Sequence, residues 1–202
     1  SRLAKWNGTI WESLGENPSS TIYDILVDED FVYVAGSFTS IGGIDANRIA
    51  RWNKNTEQWS ALGEGANQTV YTLLKVGNKI YAGGFFTEID GSPTNRIAVW
   101  DGDSWDNLGE GVNGAVRDMI EYEGKLFVGG SFNEAGLVIA NHIAAWNGES
   151  WENMGDGLDD SVYSLAATDS SLIIGGDFEN SADGTASHIV EWISATETWA
   201  SL

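Results

Sequence analysis

The sequence contains no cysteine among its 202 residues, which excludes disulfide bonds, thiol nucleophiles and cysteine-ligated metals. It has only 10 Lys and Arg against 30 Asp and Glu, so its formal net charge is −20. A surface this acidic repels phosphate groups, so we expect no nucleic-acid partner and no binding to anionic lipid. No apolar run approaches the roughly 18 residues of a membrane span, so no membrane insertion is expected.

Tryptophan and glycine are abundant instead, with 10 and 25 residues, and they recur at fixed intervals. The tryptophans form five pairs whose first members are 46, 48, 46 and 46 residues apart. A Gly-Gly-x-Phe element between the pairs recurs at intervals of 48, 46 and 46 residues. One period of about 46 residues therefore predicts a tandem repeat. The pairs are Trp6/Trp11, Trp52/Trp59, Trp100/Trp105, Trp146/Trp151 and Trp192/Trp199.

Each period reads as four short strands, which in one copy cover residues 70–74, 79–83, 96–100 and 104–108. The runs are β-branched or aromatic, and Asn-Gly or Asp-Gly turns join the last two strands in several copies. Four antiparallel strands per repeat predict an all-β fold, a β-propeller of four-stranded blades. The alternative, a β-sandwich, does not require recurring Trp and Gly-Gly positions.

Counting strands predicts four full blades preceded by an N-terminal half blade. The half blade spans residues 2–14, and the full blades span residues 21–62, 69–108, 115–154 and 161–202. Because many propellers complete one blade from both termini, we expect another chain or a downstream segment to complete the ring. A compact four-blade ring with an extra hairpin at its edge is the alternative.

The Gly-Gly doublet that closes the second strand and the Trp that opens the fourth resemble those of kelch-like β-propellers. This resemblance covers essentially the whole chain. Kelch repeats usually carry Tyr where this chain has the first Trp of each pair. The pattern N-x-I-A-x-W-N-G-x-x-W-x-x-L-G-x-G is similar to tandem repeats of large secreted or surface bacterial proteins, and to some fungal cortical proteins. The resemblance implies a secreted or cell-surface location, but a propeller fold does not select a function.

The repeated aromatic and glycine positions favour structural roles. Large side chains are needed to fill the wedge between neighbouring blades, so we expect the tryptophans to pack in the core rather than stack on sugars. The Gly-Gly doublets lack the Lys-Ser/Thr of a phosphate-binding loop. They predict a close approach between sheets or unusual backbone angles.

The loops that join one blade to the next carry an acid at a recurring position. Since the first strand of a blade is innermost, we expect these loops around the mouth of the central channel. Converging carboxylates lower their repulsion by binding a cation, and Ca²⁺ takes 6–8 oxygen ligands. The alternative is a solvated loop whose carboxylate accepts backbone N–H bonds. The candidate calcium ligands are Glu16, Glu64, Glu110 and Asp156.

The loops between the second and third strands vary most from copy to copy and should lie on the same face. Variable loops on a repeated scaffold are where binding specificity is expected, although unconstrained drift is the alternative. The candidate ligand-binding residues are Asp45, Glu88, Asp90, Glu134 and Asp183.

A further repeat position, just before the third strand, holds a cationic or imidazole side chain. It reads as an architectural polar contact, for example to an acidic loop, and no Ser-His-Asp or HExxH pattern indicates a hydrolase. We therefore assign no catalytic residue. The residues are Arg2, Arg48, Arg96, His142 and His188.

The function predicted from these patterns is a non-catalytic, adhesin-like binding or scaffold module that recognises protein or glycan through its loops. A carbohydrate-binding lectin with repeated sites is the main alternative. A glycosidase or lyase with acids around the channel is the third, because paired carboxylates occur readily among 30 acids.

Overall fold

The computed structural model describes residues 3–181, 184–185 and 187–202, and these form antiparallel β-structure. An N-terminal hairpin precedes four sheets, and each sheet contains four strands paired in chain order. A two-stranded ribbon lies between the second and third strand of each sheet. Among the described residues, no helix is long and apolar enough to cross a membrane.

The strand boundaries repeat with the sequence period. The hairpin pairs β1 (Ala4–Trp6) with β2 (Trp11–Ser13). Sheet 1 has β3 (Ile22–Val27), β4 (Phe31–Gly36), the ribbon β5 (Ser40–Ile41) and β6 (Ile44–Asp45), β7 (Ile49–Asn53) and β8 (Gln58–Ala61). Sheet 2 has β9 (Val70–Val76), β10 (Lys79–Gly84), the ribbon β11 (Glu88–Ile89) and β12 (Ser92–Pro93), β13 (Ile97–Trp100) and β14 (Trp105–Asn107). Sheet 3 has β15 (Val116–Tyr122), β16 (Lys125–Gly130), the ribbon β17 (Glu134–Ala135) and β18 (Val138–Ile139), β19 (Ile143–Trp146) and β20 (Trp151–Asn153). Sheet 4 has β21 (Val162–Ala167), β22 (Ser171–Gly176), the ribbon β23 (Asn180–Ser181) and β24 (Gly184–Thr185), β25 (Ile189–Ile193) and β26 (Thr198–Ser201).

The first strands of consecutive sheets contact one another, β3 with β9, β9 with β15 and β15 with β21. They form the inner edge of the array, as the sequence predicted. Each is interrupted at its second residue by a β-bulge; in sheet 2 the pairing passes from Val70–Gly84 to Thr72–Gly83 and omits Tyr71. A bulge bends the strand and re-aims the extra side chain.

The glycine doublets allow this close approach. A Cβ on Gly83 would lie 2.4 Å from Val116 Cγ1 of the next sheet, and one on Gly84 would lie 2.3 Å from the Thr69 carbonyl oxygen. Neither distance accommodates a side chain: Gly83 serves the packing of sheet 2 on sheet 3, and Gly84 allows a close backbone approach within sheet 2. Unusual backbone angles are not the reason, since neither residue has a positive φ.

In sheets 1, 2 and 3 the second tryptophan of the pair joins its sheet to the preceding element, whereas Trp199 Nε1 in sheet 4 is buried without a hydrogen-bond partner among the described residues. Trp105 Nε1 donates a hydrogen bond to the Leu62 carbonyl oxygen at 3.0 Å, across the junction of sheets 1 and 2. This bond satisfies both the indole donor and a carbonyl at the end of a strand. The same bond joins Trp59 to Leu14 at 2.5 Å and Trp151 to Leu108 at 2.9 Å.

Most tryptophans pack as the sequence predicted, and the repeated phenylalanines are fully buried. Two tryptophans do not: Trp6 and Trp11, in the N-terminal hairpin, are 51% and 69% exposed. The expectation of core packing was wrong for this pair, because no sheet covers the outer face of the hairpin in the described chain. The buried tryptophans are Trp59, Trp100, Trp151, Trp192 and Trp199, and the buried phenylalanines are Phe38, Phe86, Phe132 and Phe178.

Carboxylates on the inner strands also span the junctions. Asp118 accepts hydrogen bonds from the backbone N–H of Met119 at 2.8 Å and of Leu165, in the next sheet, at 2.7 Å. Burial raises the pKa of the Asp118 carboxyl above its usual value, although these two hydrogen bonds act in the opposite direction. Asp24 spans the junction of sheets 1 and 2 in the same way, reaching the N–H of Leu73 at 2.6 Å.

Replacing Trp100 by Ala is expected to lower the free energy of unfolding by about 3–5 kcal/mol, since the ring is 6% exposed and its loss leaves a cavity. Urea unfolding measures the change. The matched control is Trp11→Ala, whose ring is 69% exposed and whose loss should change stability far less. Equal effects of the two variants would contradict the packing described here.

Asp118→Asn tests how the buried carboxylate affects the pH dependence of stability. With its pKa raised in the folded state, Asp118 contributes stability that is present below its ordinary pKa and is lost as pH rises through the raised value. The variant does not titrate at this position. Its free energy of unfolding should therefore fall below that of the parent by less at neutral pH than at pH near 3. Urea midpoints at both pH values give the comparison, and a deficit that grows with pH would contradict it.

Candidate functional site

The loops between sheets and the ribbons lie on one face of the array, which we call the loop face. Asparagines just before the third strands position the loops. Asn95 Nδ2 donates to the Glu110 carbonyl oxygen at 2.8 Å, so the loop backbone is held by a side chain of the preceding sheet. The equivalent bonds join Asn47 to Glu64 at 2.9 Å and Asn141 to Asp156 at 2.8 Å.

A second set of side chains fastens each ribbon to the loop before it. Asn67 Oδ1 accepts from the backbone N–H of Thr87 at 3.0 Å and of Glu88 at 3.2 Å. A single acceptor thus fixes the start of the ribbon. The residues that do the same in the other sheets are Ser19, Asn113 and Asp159.

The four acids proposed as calcium ligands are all exposed, and the first three lie against the ribbon of the following sheet. The Glu64 carboxylate, for example, lies beside Gly91 at the turn of its neighbouring ribbon. Within residues 3–181, 184–185 and 187–202, no group of three or more His, Asp or Glu is arranged to hold a metal ion. The side chains of Glu16, Glu64, Glu110 and Asp156 therefore give the calcium prediction no support.

The ribbons carry the candidate ligand-binding acids. Asp45, Glu88, Asp90 and Glu134 are exposed on the loop face, and Asp183 lies outside the described residues. Asp90 has a structural role, because its Oδ1 accepts from the Glu64 backbone N–H at 2.6 Å while its own φ is +53°. The left-handed conformation is costly for a non-glycine residue, and this hydrogen bond compensates it.

A cleft of about 280 Å³ on the loop face brings together two of the predicted acids, Glu110 and Glu134. Arg96 lines the same cleft and supplies the positive charge opposite them. Arg96 Nε is buried and has no hydrogen-bond partner among the described residues, and the guanidinium carbon lies 5.9 Å from the Phe85 ring centre. Leu137, 96% exposed, forms one wall of the cleft, and Ile139 beside it is 72% exposed.

A row of tyrosines and one arginine on the inner strands was missed in the sequence. The bulged residues of the four inner strands are Tyr23, Tyr71, Arg117 and Tyr163. Tyr23 and Tyr71 meet edge to face at 5.3 Å, and the Arg117 guanidinium lies 4.3 Å from the Tyr71 ring centre. Their spacings of 48, 46 and 46 residues are the signal that could have identified them.

The repeated Arg/His position has a structural role that its backbone conformation and backbone hydrogen bonds carry. Arg48, Arg96, His142 and His188 all have φ between +64° and +67°. Each N–H donates to the carbonyl of the buried Phe, and each carbonyl accepts from the second position of the doublet, as in Arg96 N to Phe86 O at 3.1 Å. The ion pairs of the described residues join lysines to acids elsewhere, not this position to the acidic loops. Arg2 lies outside the described residues.

Comparison with known proteins supports a β-propeller repeat. Residues 32–55 match a family model described as a β-propeller domain of unknown function, DUF5122. This match covers the second and third strands of sheet 1 and the ribbon between them. No curated protein matches the chain.

Solved structures agree in fold at low sequence identity. The computationally designed Ika4 protein is similar with a TM-score of 0.58 and 18% identity over 90% of this chain and 98% of its own. A chain of the mitotic checkpoint complex has a TM-score of 0.65 and 15% identity, and this chain covers 57% of it.

A third similar structure is the extracellular domain of a protein described as a hybrid two-component system from B. thetaiotaomicron. Its TM-score is 0.65 and its identity 12%, with 98% of this chain and 24% of that chain covered. This chain thus spans little more than half of one natural neighbour and about a quarter of the other. Taken with the repeated four-stranded sheets, these matches show that the chain is built from β-propeller repeats.

Proposed function

We propose that this chain is a non-catalytic binding module that recognises a protein partner through its loop face. The observation that carries the proposal is the cleft between Arg96, Glu110, Glu134 and Leu137. It combines a guanidinium group, two carboxylates and an exposed apolar side chain. Exposed apolar residues beside polar groups are typical of protein contact sites.

The scaffold beneath the cleft supports recognition without a large ordering cost. Asn95 holds the loop of Glu110, and Asn113 holds the ribbon of Glu134, in both cases by hydrogen bonds of about 3 Å to backbone groups. A preorganised surface loses little conformational freedom on binding. Because the ribbons differ in sequence between repeats, they can determine the partner.

We further propose a secreted or cell-surface location for this kelch-like module. The resemblance to repeats of large surface proteins supports it, whereas the similarity to an extracellular domain, at 12% identity, supports the shared fold alone. The absence of cysteine is compatible with either redox environment.

We also propose that the N-terminal hairpin is half of a four-stranded blade, which another pair of strands would complete. A groove of about 360 Å³ lies between the hairpin and sheet 1, and apolar side chains line it. Ile25 and Val27 of the inner strand are 47% and 60% exposed there. At the other end of the array, a Cβ on Gly175 would meet no side chain, whereas the equivalent Gly129 faces Val162.

The repeat itself indicates what fills such a groove. The groove lies beside β1, which corresponds to the third strand of a full sheet. In sheets 2 and 3 the first and second strands fill the space beside that third strand, and a glycine of the second strand packs on the next sheet. We propose that the inner strand pair of a further repeat, from another chain or a downstream segment, occupies the groove and pairs with β1. This would make the hairpin and the four sheets parts of one ring.

Leu137→Asp combined with Ile139→Asp tests the loop-face proposal. Peptides that are selected from a displayed library for binding to the parent should bind the double variant at least tenfold more weakly, because two exposed apolar contacts become charged. Unfolding should be nearly unchanged, since both side chains are exposed. The control is Ile10→Asp, 58% exposed on the hairpin. Selected binders that bind the double variant and the parent equally would overturn the proposal.

The same binding assay repeated with calcium and with EDTA checks the calcium prediction. A calcium-dependent affinity that Glu64→Gln and Glu110→Gln abolish would support it, and equal affinities in both buffers would contradict it.

A synthetic peptide with residues 69–84, the inner strand pair of sheet 2, tests the groove. Calorimetry should show binding to the parent, and Ile25→Asp should abolish it because a charge enters the apolar groove. Tyr163→Asp, at an exposed position of sheet 4, is the control. Absence of binding to the parent would contradict the proposal.

A further inference from the structure

Two crevices open on the flank of the array, outside the loop-face cleft, at consecutive junctions. The crevice between sheets 2 and 3 has a volume of about 560 Å³, and that between sheets 3 and 4 about 350 Å³. Both lie in the range of roughly 300–1,000 Å³ that is usual for small-molecule sites. Neither contains a residue of the loop-face cleft.

The two crevices are one site repeated. All eight residues that line the first have a counterpart 46 residues later in the second. The polar counterparts are Lys79 and Lys125, Asp106 and Glu152, and Asn107 and Asn153; the aromatic ones are Tyr81 and Phe127, and Trp146 and Trp192.

The junction of sheets 1 and 2 shows that the polar trio is not needed to hold sheets together. There the positions of the Lys, the acid and the Asn are occupied by Phe31, Ser60 and Ala61. Arg51 fills the space: its guanidinium lies 4.8 Å from the Phe31 ring centre and its Nε donates to Ser60 Oγ at 3.2 Å. Asn107 has a structural role, since it accepts from Thr94 Oγ1 at 2.7 Å and donates to the Pro93 carbonyl oxygen at 3.3 Å. The lysine and the acid are the members of the trio that the fold does not require.

The polar groups of the second crevice form a connected set at its rim. Lys125 Nζ lies 2.7 Å from Glu152 Oε2, and Asn147 Nδ2 donates to Glu152 Oε1 at 2.6 Å. These contacts lower the pKa of Glu152, so it stays ionised and acts as an acceptor. The Lys125 and Glu152 side chains are 41% and 39% exposed, which leaves both accessible to a ligand.

Such a rim over an aromatic wall suits one kind of ligand. A carboxylate and an ammonium together accept from and donate to adjacent hydroxyl groups. The aromatic wall offers an apolar surface to C–H groups of the same molecule, and in the second crevice Phe127 and Trp192 present a small part of it, at 6% and 7% exposure. A pyranose ring has both kinds of surface, whereas an anionic ligand would meet the carboxylate and the net charge of −20.

We infer that these two flank crevices each bind one neutral sugar ring, with the acid and the lysine at the hydroxyl groups and the aromatic side chain against the C–H face. This site goes beyond the proposed protein-binding loop face and is independent of it. Two equivalent sites at a fixed separation favour a ligand with several sugar residues, because binding at one site raises the effective concentration at the other.

Titration of the ¹⁵N-labelled chain with methyl glycosides of glucose, galactose, mannose, fucose and N-acetylglucosamine tests the inference. At least one sugar should shift the indole signals of Trp146 and Trp192 while leaving that of Trp100 unchanged. Asp106→Ala should remove the response of Trp146 and keep that of Trp192, so that the stoichiometry falls from two to one. Glu152→Ala should do the reverse.

Two results would overturn the inference: no shift at Trp146 or Trp192 with any of the five sugars, or a Trp146 response that survives Asp106→Ala. Because Asp106 is exposed, a dispersed spectrum of the variant is expected and shows that it is folded. Leu137→Asp should leave the sugar response intact, so failure of the loop-face proposal and failure of this one are distinguishable.

Discussion

The hydrogen bond from a tryptophan Nε1 to a preceding strand-end carbonyl is the contact on which the first three junctions depend, and at the fourth the indole of Trp199 is buried without that bond in the described chain. Trp105 and Trp151 make it across successive junctions, at 3.0 and 2.9 Å. A single four-stranded sheet has two apolar faces and cannot bury both alone. The indole fills the wedge between two sheets and also satisfies a strand-end carbonyl, so packing and polar satisfaction are achieved by one side chain.

This junction sets where binding surfaces can form. Since the glycine doublets draw the inner strands together, the sheets diverge outward and leave crevices at their flank, as beside Trp146. On the loop face, each loop is bonded to the sheet before it and the ribbon after it, so the clefts there also fall at junctions. Arg96 of sheet 2, Glu110 of the loop that follows it and Glu134 of the ribbon in sheet 3 then share one cleft.

Much of the fold could be predicted from the sequence because it repeats. Strands expected at 70–74 and 79–83 occur at Val70–Val76 and Lys79–Gly84, and the close approach at the glycine doublets is confirmed. The ribbons were missed, since two-residue strands carry no alternating pattern. The site was harder to predict: the meeting of Glu110 with Glu134 depends on loop closure, and the tyrosine row depends on a bulge that only pairing geometry shows.

Hydrogen exchange of the tryptophan indole N–H groups, followed by NMR, tests the central claim most directly. If indole bonds join the sheets, the Nε1 protons of Trp59, Trp105 and Trp151 should be strongly protected, because their exchange requires the junction to open. Trp11, exposed on the hairpin, should exchange at nearly the rate of a free indole. Equal exchange rates at all four positions would contradict the account.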